Sequence, residues 1–131
     1  MGPLSNIKVL EFSGIGPGPY CGMLLADMGA DVIRIGRKDS EGLENKYDIH
    51  NRSKRSITAD LKNKDTISEI LKLIEQVDVI FEGFRPGVME KLGLGPDICL
   101  ARNSKLVYGR MTGWGQDGPM CNLAGHDTNY I

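Results

Sequence analysis

The sequence predicts an α/β domain built on a doubly wound, mainly parallel sheet with helices on both faces. Three observations carry this. The apolar run Ile7-Lys8-Val9-Leu10-Glu11-Phe12 is followed by a glycine- and proline-rich turn, an apolar segment stopping at Gly29, and a second apolar run over residues 30–35. Residues 66–75 place Ile67, Ile70, Leu71 and Ile74 at i, i+3, i+4 and i+7, one face of a helix. Val77-Asp78-Val79-Ile80-Phe81 and Leu106-Val107-Tyr108-Gly109 read as further buried strands.

The elements follow in order. The strand over 7–12 leads into Gly14-Ile15-Gly16-Pro17-Gly18-Pro19, with Pro19 suited to a first helical position. A helix over 20–28 follows, with Met23, Leu24, Leu25 and Ala26 on its sheet-facing side and Gly29 as its stop. With the strand over 30–35 this is a βαβ unit, for which a parallel crossover is the default. Residues 36–54 are polar, without a period, and read as an excursion loop. Residues 55–61 alternate weakly as a short strand. Short helices are expected over 86–91, with Pro86 at the start, and over 96–101. The sum is a Rossmann-like arrangement with no internal repeat or linker.

Composition narrows the function. At 131 residues the chain holds one core, and 40% hydrophobic with 25% charged residues excludes disorder. A net charge of -1 gives no global field for nucleic acid or an anionic membrane, so an anionic ligand needs local cations. Cys21, Cys99 and Cys121 have no zinc-site spacing and read as reduced thiols. No signal-peptide pattern and no apolar run near the roughly 20 residues of a membrane span is present. The expectation is a soluble protein, cytoplasmic in a bacterium, peroxisomal or mitochondrial in a eukaryote.

Several segments fall where an open α/β sheet binds ligands, beyond the carboxyl ends of its strands. The glycine run departs from G-x-G-x-x-G: its sixth position is Pro19, and two prolines remove donors that a pyrophosphate needs. A tight turn packing a helix on the sheet is the other reading of it. Gly36-Arg37-Lys38 stands where a nicotinamide enzyme carries an acidic residue; it suits a phosphorylated ribose, as in coenzyme A or NADP, or is solvated surface charge. Asn51-Arg52-Ser53-Lys54-Arg55-Ser56 gathers three cations, fitting a phosphate-rich ligand or a solvated turn. Ala59-Asp60-Leu61-Lys62 and Gly83-Phe84-Arg85 each follow a predicted strand. Arg85 can meet a phosphate and Phe84 can flank a ring.

His50 lies in the polar excursion and is assigned no role. His126 stands in Gly125-His126-Asp127-Thr128-Asn129-Tyr130. Either this is a helix start with an incidental histidine, or the dipole there favours a neutral imidazole acting as base, beside amides that stabilise an oxyanion. Asp127 and Thr128 supply the N-cap chemistry in both readings.

The glycine turn, Leu25-Ala26-Asp27-Met28-Gly29-Ala30-Asp31-Val32-Ile33, Asn51 to Ser56, Ala59 to Lys62, Arg85-Pro86-Gly87-Val88, Leu92-Gly93-Leu94-Gly95-Pro96 and Gly113-Trp114-Gly115-Gln116-Asp117-Gly118-Pro119 together resemble the family III CoA-transferases. Ala124-Gly125-His126-Asp127-Thr128-Asn129-Tyr130 resembles their α-methylacyl-CoA racemase branch. The resemblance covers essentially the whole chain.

That resemblance implies that residues 1–131 are the amino-terminal, CoA-binding part of the large domain of a longer enzyme, which interconverts (R)- and (S)-2-methylacyl-CoA thioesters through an enolate. His126 is implied as one of two proton carriers, with Asp127 in the catalytic turn and a second acid beyond Ile131. CoA contacts are implied at Arg37, Ala59, Asp60, Leu61, Lys62, Gly83, Phe84, Arg85, Lys91, Gly125, Thr128, Asn129 and Tyr130. At Lys91 some relatives carry arginine, so a cation stays but a bidentate contact is lost. No metal, nicotinamide or flavin is implied, and CoA enters as part of the substrate. With only one of the two carriers in it, this chain alone is expected to be inactive; the family forms an interlocked homodimer, so the chain is also expected to expose surface meant for burial. The alternatives are a CoA-transferase working through an aspartyl anhydride, where an aromatic residue is typical at the His126 position, a non-catalytic CoA-binding fragment, and, more distantly, a NADP oxidoreductase.

Overall fold

The computed structural model describes residues 2–12, 14–37 and 47–129, apart from the Asp127 side chain. Five strands, β1 (Lys8–Phe12), β2 (Asp31–Gly36), β3 (Arg55–Thr58), β4 (Val79–Glu82) and β5 (Val107–Arg110), form one sheet in the order β3-β2-β1-β4-β5. Every pairing is parallel: Phe12 lies opposite Ile35, Gly36 opposite Thr58, Glu11 opposite Phe81, and Glu82 opposite Arg110. All five carboxyl ends therefore open on one edge. The order reverses between β1 and β4, which makes that point the place for a ligand.

The strands alternate between two apolar layers. Leu10, Phe12, Ile35 and Ile80 join Ile70 and Ile74 of α2 (Lys64–Ile74) and Cys99 of α4 (Pro96–Arg102) on one face. Val9, Val32 and Phe81 join Ala26 of α1 (Pro17–Asp27) on the other. A sheet covered on both faces reads as near-continuous apolar runs. In such a run, a carboxylate at Glu11 or Glu82 is out of place.

Helix starts differ from those the sequence suggests, each for a local reason. Helix α1 begins at Pro17 rather than residue 20, because Gly16 turns the chain at φ 69°. Pro17 and Pro19 then both occupy the first turn, where N–H groups have no intrahelical acceptor and proline costs nothing. Met23 and Ala26 are buried as expected, whereas Leu24 is 41% exposed. Helix α2 begins at Lys64 because the Asn63 side chain accepts from the N–H of Asp65 at 2.8 Å and of Thr66 at 3.4 Å. The short α3 (Val88–Lys91) starts after Gly87, held at φ 80°, so Pro86 stays outside it. Strand β3 stops at Thr58, and β5 runs one residue further than expected, to Arg110.

Candidate functional site

The carboxyl edge gathers most of the predicted ligand segments. Arg37 follows β2, Ala59 to Lys62 follow β3, and Gly83 to Arg85 follow β4. Arg37 reaches across the end of β1 to place its guanidinium 5.8 Å from the centre of the Phe84 ring. At that distance a cation is attracted to the ring face. The two residues close over the switch point from opposite sides.

The segment after β3 is pinned by Asp60, whose carboxylate accepts from Lys62 N–H at 2.9 Å while its carbonyl accepts from Asn63 N–H at 3.1 Å. Ala59 is buried, and Lys62 is turned into solvent. Arg85 is likewise exposed, as is Lys91 at the end of α3. Among the described residues none of these three cations has an acidic partner.

The loop after β4 hangs on a buried carboxylate. Glu82 is 2% exposed, and its Oε2 accepts from the Phe84 N–H at 2.7 Å. Its Oε1 accepts from Arg110 Nε at 3.3 Å, and the other arm of Arg110 donates to Glu90 at 2.5 Å. Burial pushes the Glu82 carboxyl above the usual carboxylate range, against the pull of the Phe84 N–H and of Arg110. Exposed Glu90 is held low by its own backbone N–H and by Arg110. The sequence reading missed Glu82; the signal that marks it is a carboxylate closing the apolar run Val79-Ile80-Phe81.

The cations of 51–56 are occupied elsewhere. Arg52 pairs with Asp27, and Arg55 with Asp31 at 2.5 Å. The Lys54 side chain is 1% exposed and its Nζ donates to Glu11 at 2.6 Å and to the Pro19 carbonyl at 2.9 Å. The expected phosphate cluster is thus a set of ion pairs tying β3 and its approach to β1, β2 and α1. Glu11, fully buried, is pushed above its ordinary range by burial despite Lys54. Gly22 makes room for the pair: a Cβ there would stand 2.0 Å from Glu11 Oε2. His50 plays a local part, its Nδ1 3.0 Å from Asp48 and its ring edge-on to Tyr20.

His126 is exposed and immediately precedes a 3-10 element. The Asp127–Asn129 element is a single 3-10 turn. The Asn129 side chain accepts from the His126 N–H at 2.8 Å, and the His126 carbonyl accepts from Asn129 N–H at 2.7 Å. The side chain that bonds the His126 N–H is thus that of Asn129, downstream. The approach is folded on itself: Trp114 Nε1 donates to the Ala124 carbonyl at 3.3 Å, and Leu123 N–H to Met120 at 2.8 Å. Among the described residues the His126 ring has no hydrogen bond, ion pair or ring contact. Gly125 is half-buried, and Thr128 and Asn129 are exposed. Lys38, Tyr130 and the Asp127 side chain lie outside the described residues. Cys21, Cys99 and Cys121 are free thiols; burial pushes Cys99 up to about 11. No helix of the described residues is long and apolar enough to cross a membrane.

Known proteins match this fold and sequence. Residues 4–131 match CoA-transferase family III. The chain is 47% identical over 130 residues to human α-methylacyl-CoA racemase and 46% identical over 128 residues to the mouse racemase, covering 98% of this chain in each case. It is 37% identical over 138 residues, 95% of the chain, to the probable fatty acyl-CoA transferase Rv3272 of Mycobacterium tuberculosis. The chain spans about a third of the length of these curated relatives, 33%, 32% and 35%. A crystal structure of Rv3272 superposes with a TM-score of 0.90 at 38% identity, over 97% of this chain and 38% of that one. A CaiB/BaiF family protein from Brucella suis gives 0.88 at 32% identity, again over 97% of this chain and 38% of that one. An open, all-parallel α/β sheet and this extent of likeness lead to one conclusion: the chain belongs to CoA-transferase family III.

Proposed function

We propose that the chain is the CoA-binding part of a racemase that interconverts (R)- and (S)-2-methylacyl-CoA thioesters. The observation that carries this reading is the gradient of likeness within the family. Identity is 47% and 46% to two α-methylacyl-CoA racemases, against 37% to a succinate–glutarate CoA-transferase and to a succinyl-CoA–D-citramalate CoA-transferase.

The chemistry divides between two places. At the carboxyl edge Arg37, Lys62, Arg85 and Lys91 meet the phosphates of CoA while Phe84 flanks its ring, and Ala59, Asp60, Leu61 and Gly83 shape the groove. In the 125–130 turn His126 takes the proton from C2 of the acyl group. The thioester oxygen becomes an enolate oxygen, and the described hydrogen bonds leave the N–H groups of Asp127 and Thr128 to receive it. Gly125, Asn129 and Tyr130 hold the turn against the substrate. A second carrier returns a proton to the opposite face, because inversion at one carbon needs an acid and a base on opposite sides. No cofactor is required beyond the CoA of the substrate. Exposed Val107 on the outer strand β5 and exposed Leu123 suit burial against further chain or a second copy, as in a homodimer.

The second reading, transfer of CoA between carboxylic acids, draws on the 37% identical transferases. Product analysis with the intact protein and one enantiomer of a 2-methylacyl-CoA separates the two. The racemase forms the opposite epimer with no acceptor acid; a new CoA ester formed only when an acid is supplied would replace it by the transferase. His126→Ala is expected to slow deuterium uptake at C2 by roughly 100-fold or more, and unchanged uptake would remove His126 from the reaction.

A further inference from the structure

We infer that Glu82 and Arg110 are positioning residues for the CoA site, acting through the Phe84 backbone to set the Arg37–Phe84 pair over the switch point. The inference rests on reading the carboxyl edge as that site.

The connection is continuous. Arg110 ends β5, and its guanidinium spans Glu82 at the end of β4 and Glu90 in α3, with its carbon 5.9 Å from the Tyr108 ring centre. Glu82 uses one oxygen for Arg110 and the other for the Phe84 N–H. Phe84 then carries the Arg37 guanidinium. The carbonyl of Glu82 also accepts from Met111 N–H at 2.9 Å, so the strand leading toward His126 leaves from the same joint. Neither Glu82 nor Arg110 needs to touch the ligand. Their geometry fixes the direction in which the 83–85 loop departs from the sheet.

An apolar residue of the same size at 82 would avoid burying a carboxylate, whose desolvation is expensive unless it is fully bonded. What a carboxylate adds here is two directed acceptors facing different elements. That is a means of fixing a loop, and the loop holds Phe84 and Arg85.

The test is a double-mutant cycle on CoA affinity in the intact protein, measured calorimetrically for wild type, Arg110→Ala, Arg37→Ala and the double variant. Each single change is expected to weaken binding about 10-fold, and the pair about 10- to 20-fold, since both act through one arrangement. A merely structural role would give independent losses multiplying to roughly 100-fold, and that result, or an unchanged Kd for Arg110→Ala, overturns the inference. If Arg110→Ala does not fold, Glu82→Gln takes its place in the cycle, since the amide oxygen keeps an acceptor for Phe84 while the amide nitrogen cannot accept from Arg110, so the link to Arg110 is lost. Arg110→Lys should restore part of the affinity. A wild type that fails to bind CoA would sink the reading of the site itself, whereas binding with multiplicative losses sinks this inference alone.

Discussion

Two groups of cations in this chain look alike on paper and differ in space. Arg52, Lys54 and Arg55 stand within four residues of one another, and all three are spent on carboxylates: Asp27, Glu11 and Asp31. Lys62, Arg85 and Lys91 are scattered over thirty positions, yet each projects into solvent from segments leaving the carboxyl edge, with no acidic partner among the described residues. Density of charge along a sequence measures little; what decides is whether the fold brings a carboxylate to meet it. The first group holds β3 and its approach against the rest of the domain. The second is the group that the proposed function assigns to the phosphates of CoA.

The contrast can be broken most severely at Lys54. Lys54→Ala leaves Glu11 buried beside an empty space, and we expect a loss of about 3–5 kcal/mol in stability, read by chemical denaturation. Any protein that still folds should bind CoA with unchanged affinity. Gly22→Ala attacks the same pair from the helix side by driving a methyl group into Glu11. Its expected cost is about 3 kcal/mol, again with CoA affinity preserved. Arg85→Ala should behave in the opposite sense. It removes an exposed cation, so stability should hold within about 0.5 kcal/mol, while CoA binding weakens about 10-fold by calorimetric titration.

The smallest expected effect is a pH dependence. Burial raises the Glu11 carboxyl above its unfolded value of 4.5. A group bound more tightly to its proton when folded contributes stability that is present below the unfolded value and is lost as pH rises through the folded one. Glu11→Gln cannot titrate, so its thermal midpoint relative to wild type should climb as pH rises from below 4.5 toward neutrality. A difference that stays flat with pH would show that Lys54 fully offsets the burial.

Much of the fold was legible because periodicity reports burial directly. The runs at 7–12, 30–35 and 77–81 and the face of Ile67, Ile70, Leu71 and Ile74 are what two covered faces of a parallel sheet demand. Helix starts were less legible. At Gly16 and Gly87 a positive φ moves the boundary, and at Asn63 a side-chain cap does. The site divided the same way. That the segments after β2, β3 and β4 meet at the carboxyl edge was readable, since topology alone puts them there. The ion pairs of 51–56 join residues 24 to 43 positions apart, and such partners leave no local mark. Glu11 and Glu82 did leave one: Glu11 interrupts the stretch Val9-Leu10-Glu11-Phe12 and Glu82 closes Val79-Ile80-Phe81, and a carboxylate inside a covered strand must have bonding partners that the strand itself cannot supply. The partner of the His126 N–H was hidden for a related reason. Asp127-Thr128 has the composition of a cap, but the side chain that bonds the His126 N–H belongs to Asn129, three residues downstream.

One comparison tests the central claim most directly: CoA titrated into Lys62→Ala/Arg85→Ala and into Arg55→Ala, with folding matched by circular dichroism. The account predicts roughly a 100-fold loss of affinity for the first, the product of two independent contacts, and none for the second, whose cation already belongs to Asp31. Equal losses, or a loss confined to Arg55→Ala, would contradict it and return the phosphate site to the dense cluster.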